Sequence, residues 1–297
     1  MSKKFFKVDL VPAIRKLEIL SKGLTSSKMI GAYRSVFKGK GLEFKDYHPY
    51  TMEDDAGLID WKASVRTNEI LVKEYAEERD VDVFFLLDCS SRMLFGSTNK
   101  LKAEYNIELS ASLAHAILEA GDNTGLLLYS DKEKAKLLPS RGKTQFYTFS
   151  KMLLNADYYA GEFDIKNAVK FIFNYLKKSA VIIIISDFLG WKDDWQESLK
   201  ILVQKFDIIC IMVRDPRDRK LPDDVGQVVV SDPNTGKTLL IEPALLKEAY
   251  EHEVIEQEKK IQKSLLRLGI DFVEISTDSS FVKPLLNLFL RRAAKWR

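Results

Sequence analysis

Hydrophobic and polar positions along this chain fall into two textures. Over residues 9–21 (DLVPAIRKLEILS) the apolar positions recur at helical spacing, and Pro12 sits where a first turn tolerates it, so the pattern predicts a helix there. Between residues 31 and 79 the pattern loosens. Glycines at 31, 39 and 41 and many aromatics occur without a 3.6-residue period, which predicts short β segments and turns, with 70–75 (ILVKEY) the clearest strand. After Arg79 the texture becomes regular. Residues 81–87 (VDVFFLL) form a near-continuous apolar run, as expected of a strand covered on both faces. A helix over about 99–120 carries Leu101, Tyr105, Leu109, Leu113 and Ile117 every fourth residue.

The alternation continues to the end of the sequence. Short strands at 125–130 and 134–139 lie close enough for a hairpin, and helices follow at about 143–155 and 164–177. The run 181–186 (VIIIIS) is the most β-branched in the chain and is expected at the centre of a sheet. A helix at 194–205, a strand at 207–213, and a hairpin turning at Pro233-Asn234-Thr235-Gly236 come next. A helix at 243–268 stops at Gly269, and a strand at 271–276 leads to an amphipathic helix at 281–296. Strands alternating with helices predict a doubly wound, mostly parallel six-stranded α/β sheet over residues 80–297. The N-terminal helix and a small β-rich module would occupy 1–79. Ligands of such sheets sit at the carboxyl ends of the strands, which singles out Asp88 and Asp187.

Composition narrows the function classes. Hydrophobic residues are 46% and charged residues 30% of the 297, and the net charge is only +3 with both signs interspersed. That is ordinary globular chemistry with no electrostatic footprint for nucleic acid. Two cysteines, Cys89 and Cys210, both in strand-like runs, suit a reducing compartment. The start MSKKFFKVDL has a basic pair but no long apolar stretch behind it. This predicts no signal peptide, no stable membrane insertion and a cytoplasmic location.

Two blocks of residues carry a resemblance. Asp88-Cys89-Ser90-Ser91-Arg92-Met93 after one apolar strand and Ser186-Asp187-Phe188 after another look like the von Willebrand factor A fold. The upstream block runs Gly39-x-Gly41-x-Glu43-Phe44-x-Asp46-Tyr47-x-x-Tyr50, Asp54-Asp55, Ile59-Asp60-Trp61-Lys62-Ala63-Ser64-x-Arg66, then Glu74-Tyr75-x-x-Glu78-Arg79. It resembles the bacterial family called domain of unknown function 58, departing from it at Glu53 where that family usually has glycine. The resemblance implies a von Willebrand factor A-like domain after a small β-rich module. It also implies work beside a MoxR-type AAA+ ATPase on client proteins, with no established catalysis.

In that fold an Asp-x-Ser-x-Ser loop, a threonine and a further aspartate hold a divalent cation such as Mg²⁺ through hard oxygen ligands. Asp88, Ser90 and Asp187 match three of these positions, Arg92 replaces the second serine, and Phe163 falls where the threonine should be. The site is therefore expected to be degenerate and to need no cofactor, with Arg92 bridging Asp88 and Asp187 in place of the metal. A weak or rearranged Mg²⁺ site recruiting Asp164 is the alternative, and Thr144 is a distant substitute for the threonine. Ser91, Arg92 and Asp164 are the candidate partner-binding residues. The expected function is a non-enzymatic adaptor; a metal-dependent ligand-binding module is the rival reading.

The remaining features have plainer readings. Cys89 lacks a base or a phosphatase-type arginine and reads as an inert thiol. His115 and His252 read as helix-surface residues, and no phosphate-binding loop occurs. Asp60-Trp61, Arg66 and Glu78-Arg79 read first as a device that docks the small module by burying Trp61 among ion pairs, with a partner-binding surface as the alternative. The run 214–220 reads as a solvated loop, with a partner contact at the ligand-binding edge of the sheet as the alternative, and Arg291-Arg292 as charges complementing a helix C-terminus.

Overall fold

In a computed structural model, the described residues are 33, 43–51, 54–76, 81–192, 194–223, 225–232 and 235–295. The predicted helix at 9–21, the motif positions Gly39, Gly41, Glu53, Glu78 and Arg79, the turn residues Pro233 and Asn234, and Trp296 and Arg297 lie outside them.

The middle of the molecule is a six-stranded sheet built from β3 (Asp82–Asp88), β4 (Asn123–Tyr129), β5 (Glu133–Ser140), β6 (Val181–Ser186), β7 (Asp207–Arg214) and β10 (Asp271–Ser276). Their order is β10-β7-β6-β3-β4-β5, parallel throughout except for the β4–β5 hairpin at one edge. The chain builds β3, β4 and β5 outward, then returns to the other side of β3 to lay down β6, β7 and β10. The reversal of direction therefore falls between β3 and β6. All six side chains of β6 are buried, because a strand covered on both faces has no polar side to offer.

Alternate residues feed two cores. Phe85 and Leu87 join α2 (Lys102–Ala120), α3 (Lys143–Leu153) and α7 (Val282–Lys295) on one face. Phe84 and Leu86 join α4 (Ile165–Tyr175), α5 (Trp195–Leu202) and α6 (Pro243–Arg267) on the other. Helix α2 ends at Gly121 in the left-handed region (φ 94°), the conformation a C-terminal glycine supplies without strain. Among the described residues no helix is long and apolar enough to cross a membrane.

Before the sheet, β1 (Glu43–Pro49) pairs antiparallel with β2 (Leu71–Ala76) around a short helix, α1 (Trp61–Thr67). The sequence pattern predicts no helix here, since seven residues are too few to display a period. A capping aspartate starts it instead: Asp60 accepts from the backbone N–H of Lys62 and Ala63 at 3.0 and 3.2 Å. The expected burial of Trp61 fails. It is 65% exposed on the outer face of α1, while Asp60 binds Tyr47 and Lys73. Two further expectations are corrected. His115 is buried edge-on against Phe146. Arg292 is buried between Asp207 and Asp271, clamping α7 to the amino ends of β7 and β10 rather than sitting in solvent.

Candidate functional site

Three strand tips meet beside the reversal point. Strand β3 ends at Asp88, β6 at Ser186 with Asp187 next, and β7 at Arg214 with Asp215 next. Asp88 is buried; its carboxylate accepts from the Ser186 hydroxyl at 2.7 Å and from the Ser90 backbone N–H at 2.8 Å. Burial, reinforced by the nearby Asp187 charge, pushes the Asp88 carboxyl up to about 6, against the pull of those hydrogen bonds.

The cation at this site is Lys102, the first residue of α2. Its ammonium group is 1% exposed and donates to Asp187 at 2.6 Å and to Asp218 at 3.0 Å. Burial alone would depress the ammonium, but the Asp187 and Asp218 charges outweigh it and hold the group above its ordinary value. The loop that delivers Lys102 is tightly set. A Cβ on Gly96 would lie 2.8 Å from the Leu101 Cα, so only glycine lets the chain cross there. Ser97 is tied through backbone and hydroxyl to Asp215, which is itself fully buried. The predicted solvated loop at 214–220 is therefore folded into the site: Arg214 and Asp215 are buried, and Asp218 faces Lys102.

The other predicted residues scatter around this centre. Arg92 does not bridge the two aspartates; it reaches past them and donates to the Leu189 carbonyl at 2.8 Å. It lies over Gly190, whose φ is +63° and whose missing Cβ would collide with the guanidinium. Gly190→Ala is expected to displace Arg92 and destabilise the fold by about 1–2 kcal/mol, from left-handed strain and the clash together. Urea unfolding checks this, and an unchanged midpoint would contradict it. Ser91 is pinned to Gly161 by its backbone N–H and its hydroxyl. Asp164 turns its carboxylate onto its own helix, capping α4 through Asn167. Phe163 is buried and stacks on Trp191, which also stacks on Phe188 and donates to the Ser186 hydroxyl at 3.2 Å. Phe188 itself holds a positive φ of 56°, an uncommon backbone for a bulky residue and a mark of a constrained turn. Thr144 is exposed after β5, whose end pairs with the start of β4; that places it at the opposite edge of the sheet.

These residues do not fit a divalent ion as they stand. The two Asp187 oxygens are engaged by Lys102 and the Leu189 N–H, both Asp88 oxygens are hydrogen-bonded, and a phenyl ring occupies the threonine position. Among the described residues no three His, Cys, Asp or Glu side chains gather as a metal-binding group. Nucleophilic chemistry fares no better: Cys89 is buried, and burial pushes its thiol well above the ordinary range.

The sequence pattern overlooks Lys102 altogether, and it names Ser186, Asp215 and Asp218 without assigning them to the site. Lys102 leaves a signal, since at i, i+3 and i+7 it shares the apolar stripe of Tyr105 and Leu109. A lysine on such a stripe needs a buried counter-charge.

Fold and site together define an α/β protein with a doubly wound sheet and an internally neutralised carboxylate cluster at its switch point. The family described as "Protein of unknown function DUF58" matches residues 46–260, and the chain belongs to it. Uncharacterized proteins of Mycobacterium tuberculosis and Mycobacterium bovis are 22% identical over 287 residues, covering 95% of this chain and 90% of theirs. A Mycobacterium avium protein, also uncharacterized, is 26% identical over 43% of this chain and 76% of its own. Among solved structures, the conserved hypothetical protein BatB of Bacteroides thetaiotaomicron shows 18% identity and a TM-score of 0.46, over 72% of this chain and 99% of that one. An aerotolerance-related membrane protein of Bacteroides fragilis shows 16% identity and a TM-score of 0.45, over 71% of this chain and 99% of that one.

Proposed function

We propose that this chain is a non-enzymatic adaptor with a von Willebrand factor A-like domain, and that its strand-tip face binds a protein partner without a metal ion. The carrying observation is the buried Lys102–Asp187–Asp218 cluster. A cation supplied from within leaves the tip carboxylates satisfied, so the face needs no Mg²⁺ to hold its shape. Around that cluster, Ser91, Arg92, Leu189 and Trp191 remain partly accessible and supply hydrogen-bonding, cationic and aromatic contact of the kind interfaces use. Buried carboxylates without an accessible nucleophile or base favour binding over catalysis. The partner proposed from the family resemblance is a MoxR-type AAA+ ATPase that acts with the adaptor on client proteins in the cytoplasm.

Affinity purification from native cells, with and without ATP, should recover such an ATPase. Arg92→Glu should weaken that interaction about tenfold, the effect of roughly 1.4 kcal/mol at a rim charge, while the circular dichroism spectrum stays unchanged. Normal partner binding by Arg92→Glu would place the interface elsewhere. The rival reading, a Mg²⁺-dependent module, makes an opposite forecast. Metal that binds only the folded state raises its melting temperature, whereas on the adaptor reading millimolar Mg²⁺ leaves it unchanged.

A further inference from the structure

The strands β8 (Val228–Ser231) and β9 (Thr238–Ile241) form a hairpin that, among the described residues, pairs only with itself and stays outside the central sheet. Opposed pairs share a face, so Val229 with Leu240 lines one side and Val230 with Leu239 the other. All four side chains are between 42% and 65% exposed. Ser231 and Thr238 lie beyond Val229 and Leu240 on the first side, so both sides of the hairpin turn apolar side chains to water.

Its position is set by α6. That helix has 25 residues, about 37 Å at 1.5 Å per residue, against about 20 Å for the six residues of β10 that follow it. Apart from Pro243, its buried residues begin only at Val254, and Leu245 and Leu246 in the first turn are exposed. The hairpin and the start of α6 therefore form an arm beyond the sheet. Tyr250 ties it to the strand-tip loop by donating to the Asp218 carbonyl at 3.0 Å, and Lys247 pairs with Asp223.

We infer that this arm is a self-association surface, in which β9 pairs antiparallel with β9 of a second copy about a two-fold axis at Leu240. A lone two-stranded hairpin is marginal in water, whereas three or more strands with an apolar face are stable, so a four-stranded sheet shared by two copies resolves the deficit. The register follows from the side chains. With Leu240 opposite its own copy, Leu239 faces Ile241 of the second copy, and Thr238 faces Glu242. Every row through the middle of the new sheet is then apolar: Val229, Leu240 and the same two from the other copy on one side. On the other run Val230, Leu239, and Ile241 and Val228 of the second copy. Centring on Leu239 instead would set Val229 and Leu240 against Thr238 and Ser231, mixing apolar with polar. Strand β9 is favoured over β8 as the joining edge because it carries the two leucines, which offer more apolar surface. Such an interface is isologous and closes at two copies.

Sedimentation of the full chain at concentrations up to about 200 µM tests this, a range that detects a weak dimer. The wild type should sediment as a concentration-dependent dimer. Leu240→Lys sets like charges opposite each other on the axis and should return it to monomer, with at least a tenfold weaker association. Val229→Lys, one strand away, should weaken it less, and Val65→Lys, at an exposed apolar residue on α1, should leave it unchanged. All these positions are exposed, so the variants keep the fold. A wild type that stays monomeric throughout overturns the proposal, as does a Leu240→Lys variant that remains dimeric.

Discussion

Lys102→Met is expected to cost about 3–5 kcal/mol of folding stability, the penalty of leaving buried carboxylates without their counter-charge. Asp187 is fully buried and Asp218 largely so, and both face the ammonium within 3.0 Å. Methionine matches the stem of lysine, so packing along α2 is kept and the loss reports the charge. Part of the loss should return in acid, where Asp218 takes up a proton and no longer needs a cation. Burial already holds the Asp218 carboxyl above its ordinary value, so its protonation begins early in such a titration. Urea unfolding followed by tryptophan fluorescence measures both effects. A loss below about 1 kcal/mol would mean that Lys102 behaves as a solvated surface ion, for which that is the usual ceiling.

The second large effect is a pH dependence centred on Asp88. Its carboxyl is pushed up to about 6 in the folded protein, chiefly by burial, from an ordinary value near 3.8. The folded state therefore holds a proton that the unfolded chain has released. Stability from this group is present in acid and is lost as pH rises through 4 to 6. The linkage amounts to roughly 2 kcal/mol between pH 4 and pH 8. Asp88→Asn keeps an acceptor for the Ser90 N–H but cannot ionise, so its stability should lack this decline. The comparison is a set of urea midpoints for both proteins across that range. Parallel curves would show that Asp88 ionises as freely in the fold as outside it.

The apolar runs of β3 and β6, the amphipathic periods of α2, α4 and α7, and the glycine stop at Gly269 are local properties, each legible from spacing alone. Because right-handed crossovers leave few ways to connect such elements, the six-stranded, mostly parallel core also follows from the order of the runs, whereas the strand order that puts the reversal between β3 and β6 is seen only in the fold. Asp88 and Asp187 were legible for the same reason, as the polar residues that end two buried strands. Helix α1 was not, since seven residues around a capping aspartate display no period. Partnerships between charges lay further out of reach. Lys102 is separated from Asp187 by 85 positions and from Asp218 by 116, and Arg92 stands nearer Asp88 in the chain than Lys102 does. Sequence proximity therefore favoured the arginine. The fold chose the lysine, because α2 starts under the strand tips while the turn at Gly190 draws the guanidinium away to the Leu189 carbonyl. Which residues are apolar is written residue by residue, and so are strands, helices and their layering. Which buried charge meets which is decided only when distant loops close on one another, since a desolvated ion takes the partner that geometry brings within reach.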